Sequence, residues 1–99
     1  MRFSLDQYDK AFESKLRLQI MSILMVHRQF DFNAFKELLD VTDGNLASHM
    51  RYLEKTGYVE SHKQFVGRKP NTSYAVTPAG KKAFTKHLEA LENLLKNNN

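Results

Sequence analysis

The sequence predicts a small α+β fold that is mainly helical and carries one β-hairpin. Three observations support this. Apolar residues recur at helical spacing in three segments before residue 57, two β-prone stretches flank a basic turn after it, and Thr77–Pro78 then has the signature of a helix start. Three helices, a hairpin and a further helix, in that order, form a winged helix-turn-helix. A chain of 99 residues, 41% hydrophobic, fits one domain over residues 1–99 with its core at about 14–80.

A first helix is predicted from about Ser14 to His27, with Ser14 as its cap. Its apolar stripe consists of Leu16, Ile20, Met21, Ile23, Leu24 and Val26. A short leading helix is predicted at about 4–13, with the apolar residues Leu5, Tyr8 and Phe12. Because a core of this size has no obvious place for them, we expect this leading helix to contribute to a dimer interface.

The second helix is the first half of the predicted helix-turn-helix. Asn33 is its expected cap and Leu39 lies near its end. We expect Phe35, Leu38 and Leu39 to face inward. A tight connection at residues 40–42 then leads into the third helix.

The third helix, at about 43–56, is the predicted recognition helix. Thr42 or Asp43 caps its start and Gly57 stops it. Its buried face carries Leu46, Met50 and Leu53. Its opposite face is polar apart from the ring of Tyr52, and consists of Gly44, Asn45, Ser48, Arg51, Tyr52 and Lys55.

The hairpin is predicted from strands at Tyr58–Val66 and Thr72–Val76, with a charged tip at Gly67–Asn71 and a wing at about 66–72. Thr77 and Pro78 then start a last helix at about 78–96. Its apolar stripe consists of Phe84, Leu88, Leu91 and Leu95.

Three interpretations of that stripe are open: a dimer seam, a part of the monomer core, or the apolar side of a membrane-surface helix. Glu89 and Glu92 in its C-terminal half argue against a membrane surface. A dimer seam suits the stripe best, because the apolar side exceeds what a local hairpin can cover. The predicted dimerisation helices are therefore those at about 4–13 and 78–96.

The distribution of charge indicates a polyanionic partner. Fifteen Lys and Arg residues against eleven Asp and Glu residues give a net charge of +4 and an isoelectric point near 9.4. No acidic residue lies between Glu60 and Glu89. The basic residues in that interval are Lys63, Arg68, Lys69, Lys81, Lys82 and Lys86.

Two surfaces of the predicted fold suit double-stranded DNA. A helix that enters the major groove needs short polar residues at its N-terminus, with phosphate-binding groups beside them. The candidates on the third helix are Thr42, Asp43, Gly44, Asn45, Ser48, Arg51, Tyr52 and Lys55. On the hairpin tip, Arg68 and Lys69 suit a minor groove or the flanking backbone. Singly, these features also fit helix capping, a solvated helix face and an exposed turn, but their combination favours DNA.

Several functional classes find no support. The chain has no cysteine, which excludes disulfides and cysteine zinc sites, and its four histidines show no metal-ligand spacing. No GxSxG, P-loop or GxGxxG motif occurs. We therefore expect no enzyme activity, no metal and no cofactor. The start of the chain lacks a signal-peptide pattern and no apolar run is long enough to span a bilayer, so we expect an untargeted, cytoplasmic protein.

Over about residues 14–90 the sequence resembles the stand-alone winged helix-turn-helix regulators of bacteria and archaea related to the MarR and ArsR groups. Three segments carry the resemblance, in the order those proteins use: TDGNLASHMRYLEKTGYV, VGRKPNTSY and VTPAGKKAF. The resemblance implies a dimer made by the terminal helices, two recognition helices in successive major grooves, and wings on the flanks. It implies groove or phosphate contacts by Thr42, Asp43, Asn45, Ser48, His49, Tyr52, Arg68, Lys69 and Asn71. In helical projection His49 lies toward the buried side.

The sequence also departs from both groups. Larger MarR proteins have longer helical extensions that form a ligand cavity, and metal-sensing ArsR proteins use cysteines. The sequence names neither an effector nor an operator. We expect a sequence-specific DNA-binding transcriptional regulator, a homodimeric repressor that blocks a promoter. The alternatives are a winged-helix protein–protein interaction module without specific DNA binding and, less favoured, a metal-dependent enzyme.

Overall fold

The computed structural model describes residues 8–97, the side chain of residue 97 excepted, and shows four α-helices and a three-stranded antiparallel sheet. In chain order the elements are α1 (Lys15–Val26), β1 (Phe30–Asp31), α2 (Phe32–Leu39), α3 (Asp43–Thr56), β2 (Val59–Val66), β3 (Lys69–Val76) and α4 (Pro78–Asn97). The strand order is β1-β3-β2. The predicted mainly helical winged helix-turn-helix fold is confirmed.

Strand β1 was not predicted, because two residues are too short to show alternation. Its two residues pair with β3 through Phe30↔Tyr74 and Asp31↔Ser73. It lies between the predicted end of the first helix at His27 and the predicted cap of the second at Asn33. Its effect is to fasten the helix-turn-helix to the sheet that carries the wing.

The helix ends follow the capping residues that the sequence offers. The Ser14 and Thr42 hydroxyls accept hydrogen bonds from the backbone N–H groups three residues on, at 3.2 Å each. Gly57 ends α3 in the left-handed region at φ 88°. The predicted cap of α2 was wrong: Asp31 Oδ1 accepts from the Ala34 N–H at 2.8 Å. Helix α2 therefore begins at Phe32, one residue before Asn33.

One hydrophobic core lies between the four helices and the inner face of the sheet. Its buried members are Ala11, Phe12, Leu16, Ile20, Met21, Leu24, Phe35, Leu46, Met50, Leu53, Val59, Tyr74 and Phe84. Two predicted core residues are exposed instead, Val26 by 78% and Leu38 by 61%. Val26 is the last residue of α1, and Leu38 lies about 100° around α2 from Leu39, which packs on the core.

The leading helix predicted at 4–13 is replaced, over the described residues, by one 3₁₀ turn at Lys10–Phe12. Phe12 is 3% exposed and packs on the rings of Tyr58 and Phe84, with centroid distances of 5.5 and 5.1 Å. Phe84 is equally buried. Phe12 and Phe84 thus belong to the monomer core, and the prediction of a dimer interface for them was wrong. Leu5 lies outside the described residues.

A polar contact anchors this N-terminal segment. The Tyr58 hydroxyl donates to Asp9 Oδ2 at 2.5 Å, and the Asp9 backbone N–H donates to His87 Nδ1 at 3.0 Å. The hydrogen bond to Asp9, together with burial, raises the pKa of Tyr58 to about 12. His87 is 2% exposed and burial lowers its pKa, so its ring is neutral with the proton on Nε2. The ring of Tyr8 packs on it at 4.6 Å.

The tip of the hairpin is tighter than predicted. The turn consists of Gly67 and Arg68, and Lys69 already pairs with Val66. Gly67 has φ 67°, the positive angle that a two-residue hairpin turn requires. The predicted tip at Gly67–Asn71 was therefore too long, since residues 69–71 lie in β3. Of the predicted tip residues, Arg68 alone is a charged residue within the turn.

Candidate nucleic-acid interface

The exposed face of α3 and the wing form the candidate interface. Ten of the twelve predicted DNA-binding residues are exposed. They are Thr42, Asp43, Gly44, Asn45, Ser48, Arg51, Tyr52, Lys55, Arg68 and Lys69. The two others, His49 and Asn71, are partly buried and bonded within the protein.

The N-terminus of α3 has free backbone donors. Thr42 accepts the N–H of Asn45 through its hydroxyl and that of Leu46 through its carbonyl. Among the residues described, the N–H groups of Asp43 and Gly44 donate to no other protein group. These donors lie at the positive end of the helix dipole, where an anion is stabilised.

Asp43 would place a negative charge at this end, but it forms an ion pair with Lys36 of α2. The pair joins the two helices of the helix-turn-helix across their short connection. Because both side chains are partly exposed, it adds at most about 1 kcal/mol to stability. Its larger effect is electrostatic, since the Lys36 ammonium offsets the carboxylate beside the free N–H groups.

Gly44 is open to the surroundings. A Cβ added there would meet nothing within 4 Å, and its φ is not positive. By contrast, a Cβ at Gly80 would collide with the carbonyl of Tyr58, where α4 crosses the start of β2. The fold therefore requires glycine at position 80 and does not require it at position 44.

Arg17 of α1 organises the middle of the α3 face. Its Nε donates to the Ala11 carbonyl at 2.6 Å, and a terminal nitrogen lies 3.0 Å from His49 Nδ1. Its guanidinium carbon lies 4.0 Å from the centre of the Tyr52 ring. Sequence reasoning missed Arg17, because a cation inside an apolar stripe gives no sign of partners on another helix.

These contacts give Tyr52 and His49 different environments. Tyr52 is 40% exposed and is held in place from one side by Arg17. His49 lies between α1 and α3, as the helical projection indicated. Burial first, and then the charge of Arg17, lower its pKa, so its neutral Nδ1 can accept from the guanidinium. His49 is thus bonded to Arg17 rather than presented on the open face.

The Asp31 carboxylate adds a side-chain contact between the wing and the helix-turn-helix. Asn71 of β3 donates from Nδ2 to Asp31 Oδ2 at 3.2 Å, while the other oxygen of Asp31 caps α2. One residue thus holds the start of α2 and the base of the wing. Asn71 has a structural partner that the sequence did not indicate.

The acidic residues near the interface are few. Glu60 lies 3.4 Å from His62 on the strand face opposite Val59. Glu54 is close enough to Tyr74 to raise the pKa of that phenol, second to burial, while Arg51 opposes it. Asp43 is paired with Lys36 and Glu60 lies beside His62, so of these three carboxylates Glu54 alone has no basic side chain within 4 Å among residues 8–97.

The apolar stripe of α4 is divided between core and surface. Phe84 is in the core, whereas Leu88, Leu91 and Leu95 are exposed by 45, 38 and 73%. The helix is 20 residues long, about 30 Å, and the domain reaches 59 Å along its longest axis. The C-terminal half of α4 thus presents a row of leucines to solvent.

Over residues 8–97, no cluster of three or more His, Cys, Asp or Glu side chains is arranged to hold a metal ion. None of the helices described is both long and apolar enough to cross a membrane.

A helix-turn-helix with an exposed polar recognition helix, followed by a basic hairpin and a long helix, defines a winged helix domain. Residues 16–95 match the family model of the winged helix DNA-binding domain, and the chain belongs to that family.

The chain is also similar to individual proteins. The chain is 35% identical over 88 residues to an uncharacterized protein of Methanocaldococcus jannaschii, covering 89% of this chain and 96% of that one. A transcriptional regulator homologue from Pyrococcus horikoshii superposes with a TM-score of 0.80 at 31% sequence identity. The superposition covers 88% of this chain and 86% of the Pyrococcus chain. An ArsR family transcriptional regulator shares the fold, with a TM-score of 0.64 at 20% sequence identity. Its superposition covers 93% of this chain and 90% of that regulator.

Proposed function

We propose that this protein is a cytoplasmic, homodimeric repressor that binds double-stranded DNA in a sequence-specific manner. Helix α3 enters the major groove and the wing lies on the flank of each half-site. The observation that carries the proposal is the exposure of two elements, the polar face of α3 and the acid-free wing. We propose no catalytic activity.

The roles on α3 follow from side-chain chemistry. Arg51 can donate to guanine or phosphate, and Asn45 can pair with adenine in the major groove. Ser48 lies one turn after Gly44 and donates or accepts at short range. Tyr52, positioned by Arg17, offers its hydroxyl to a phosphate or its ring to a thymine methyl group.

Affinity is expected to depend most on the wing. Arg68 sits in the two-residue turn and Lys69 follows at the start of β3, both exposed. Neither forms an ion pair within residues 8–97. Their charges are therefore free to neutralise phosphates, and binding should weaken as salt rises.

Dimerisation is proposed through α4. Leu88, Leu91 and Leu95 recur at helical spacing on the part of α4 that the core does not cover. Packing this row against that of a second copy would remove it from water and place two α3 helices on one duplex. The regulator description of the Pyrococcus horikoshii protein supports a regulatory role, and occlusion of a promoter is its simplest form.

The decisive experiment is selection of bound duplexes from a random pool, followed by gel-shift assays of the recovered sequence at two salt concentrations. A shared, pseudo-palindromic motif is expected to emerge. Arg68→Ala with Lys69→Ala should weaken binding and make the log–log salt slope shallower by about 0.9 per lost phosphate contact. Lys96→Ala removes one positive charge at the far end of α4, where it pairs with Glu92 at 3.0 Å, and should change neither the affinity nor the salt slope.

A protein-interaction module is the second candidate, favoured by one observation: Phe65 and Val66 of the wing are 74% and 59% exposed. A pool that yields no sequence bound better than random duplex would contradict the DNA-binding proposal. Affinity capture of one partner protein that is lost with Phe65→Ala and Val66→Ala would then support the alternative.

A further inference from the structure

Two neighbouring apolar side chains of the wing have no place in the core. Phe65 and Val66 end β2, immediately before the basic turn, and both are more than half exposed. Neither side chain packs on the core, so the fold itself does not account for an apolar residue at these two positions. A phenylalanine at this site therefore calls for a functional explanation.

The strand register places the Phe65 and Val66 side chains on opposite faces of the sheet. Phe65 pairs with Pro70, and counting back by twos places it on the same sheet face as the buried residues Val59 and Tyr74. That face carries α1, α2 and α3. Phe65 and Pro70 thus form an apolar pair on the side of the wing that faces the recognition helix. Val66 pairs with Lys69 on the opposite face.

Charge around the pair identifies the kind of partner. Lys63 lies two residues before Phe65 on the same face, and Arg68 and Lys69 follow it. No acidic residue occurs in residues 61–88. An apolar pair with Lys63 on its own face and Arg68 in the adjoining turn suits a ligand with anionic edges and an apolar interior, and the minor groove of duplex DNA has phosphate walls and stacked bases between them.

We propose that Phe65, backed by Pro70, is an apolar wedge that the wing inserts into the minor groove flanking the site of α3, partly unstacking one base-pair step. The proposal rests on the DNA-binding function proposed above. Arg68 and Lys69 hold the phosphates on either side, and the wedge adds a contact that charge cannot supply. Flexible pyrimidine–purine steps should be preferred at that position, because they unstack most readily.

A wedge has a different experimental signature from a phosphate contact. Apolar contact releases no counterions, so Phe65→Ala should weaken binding about ten-fold while leaving the salt slope unchanged. Phe65→Leu keeps a wedge-shaped side chain and should retain most of the affinity. Val66→Ala is the matched control, because it truncates an exposed apolar neighbour on the opposite face.

The probe is the tightest duplex recovered from the random pool, with 2-aminopurine placed at successive flanking positions. Wild-type protein and Phe65→Leu should raise the fluorescence at one flanking step, as should Val66→Ala, whereas Phe65→Ala should not. Equal affinity and equal fluorescence for Phe65→Ala and Val66→Ala would overturn the wedge while leaving the DNA-binding function intact. Failure of the wild-type protein to select any duplex would overturn both. A change of oligomeric state in Phe65→Ala without DNA would also overturn the wedge, by assigning the ring to a contact between copies.

Discussion

Gly44→Ala separates the requirements of folding from those of DNA contact. The added methyl group meets nothing within 4 Å and the backbone angle suits any residue. Alanine also restricts the unfolded chain more than glycine does. We therefore expect the variant to be more stable, by about 0.5 kcal/mol because the site is in the first turn, which corresponds to a rise of about 2–4 °C in Tm.

The same methyl group should impair DNA binding. The N–H groups of Asp43 and Gly44 are open donors at the positive end of α3, and a phosphate oxygen must approach closely to accept from them. A Cβ at position 44 obstructs that approach. Loss of one charge-assisted hydrogen bond of about 1.5 kcal/mol corresponds to roughly ten-fold weaker binding.

The assay combines thermal unfolding with gel shift on the selected duplex. Gly57→Ala is the matched control, because the same chemical change falls at φ 88°, where alanine is strained. It should lower Tm and leave DNA affinity unchanged at a temperature where the protein is folded. If Gly44→Ala bound DNA as tightly as the wild type, backbone contact at the start of α3 would be refuted. If it lowered Tm, the inference that the fold tolerates a side chain there would be wrong.

Two further predictions concern the dimer and pH. Leu88→Glu should give a folded monomer in analytical ultracentrifugation, since Leu88 is 45% exposed, whereas an unfolded variant would place Leu88 in the core. Burial lowers the pKa of His49 and His87 below 6.5, so just below pH 6.5 the unfolded chain binds more protons than the native state. The contribution of these two histidines to the free energy of unfolding should therefore be constant well above pH 6.5 and should fall as pH decreases through that value, by at most about 1.4 kcal/mol per pH unit for each histidine. Denaturant unfolding measured across this pH range tests the prediction. His87→Asn keeps an acceptor for the Asp9 N–H and should make the free energy of unfolding depend less steeply on pH. An unchanged pH profile in this variant would show that protonation of His87 does not destabilise the fold.

Local signals in the sequence predicted much of this fold. Thr42, Gly57 and Thr77 mark helix ends through chemistry that acts within a few residues, so the limits of α3 and the start of α4 could be predicted. The cap of α2 was misplaced because Asp31 and Asn33 are both good caps and only the structure shows which one is used.

Contacts between distant segments were not predictable in this way. The stripe of α4 has one periodicity along its length, yet Phe84 packs on Phe12 while Leu95 is exposed. The pattern could not show where the core ends. Likewise the contact of Arg17 with Tyr52 joins two helices, and each sequence segment taken alone indicates only a cation and an aromatic ring.

The double role of Asp31 has a mechanical consequence. Because one carboxylate holds both the start of α2 and Asn71 at the base of the wing, this contact opposes movement of the wing relative to the helix-turn-helix. The wing and α3 are then two protruding elements held at a fixed separation. On the proposed DNA site, this separation would fix the distance between the bases contacted by α3 and the base-pair step contacted by the wing. Inserting a single base pair between these two positions should therefore weaken binding more than changing a base at either one.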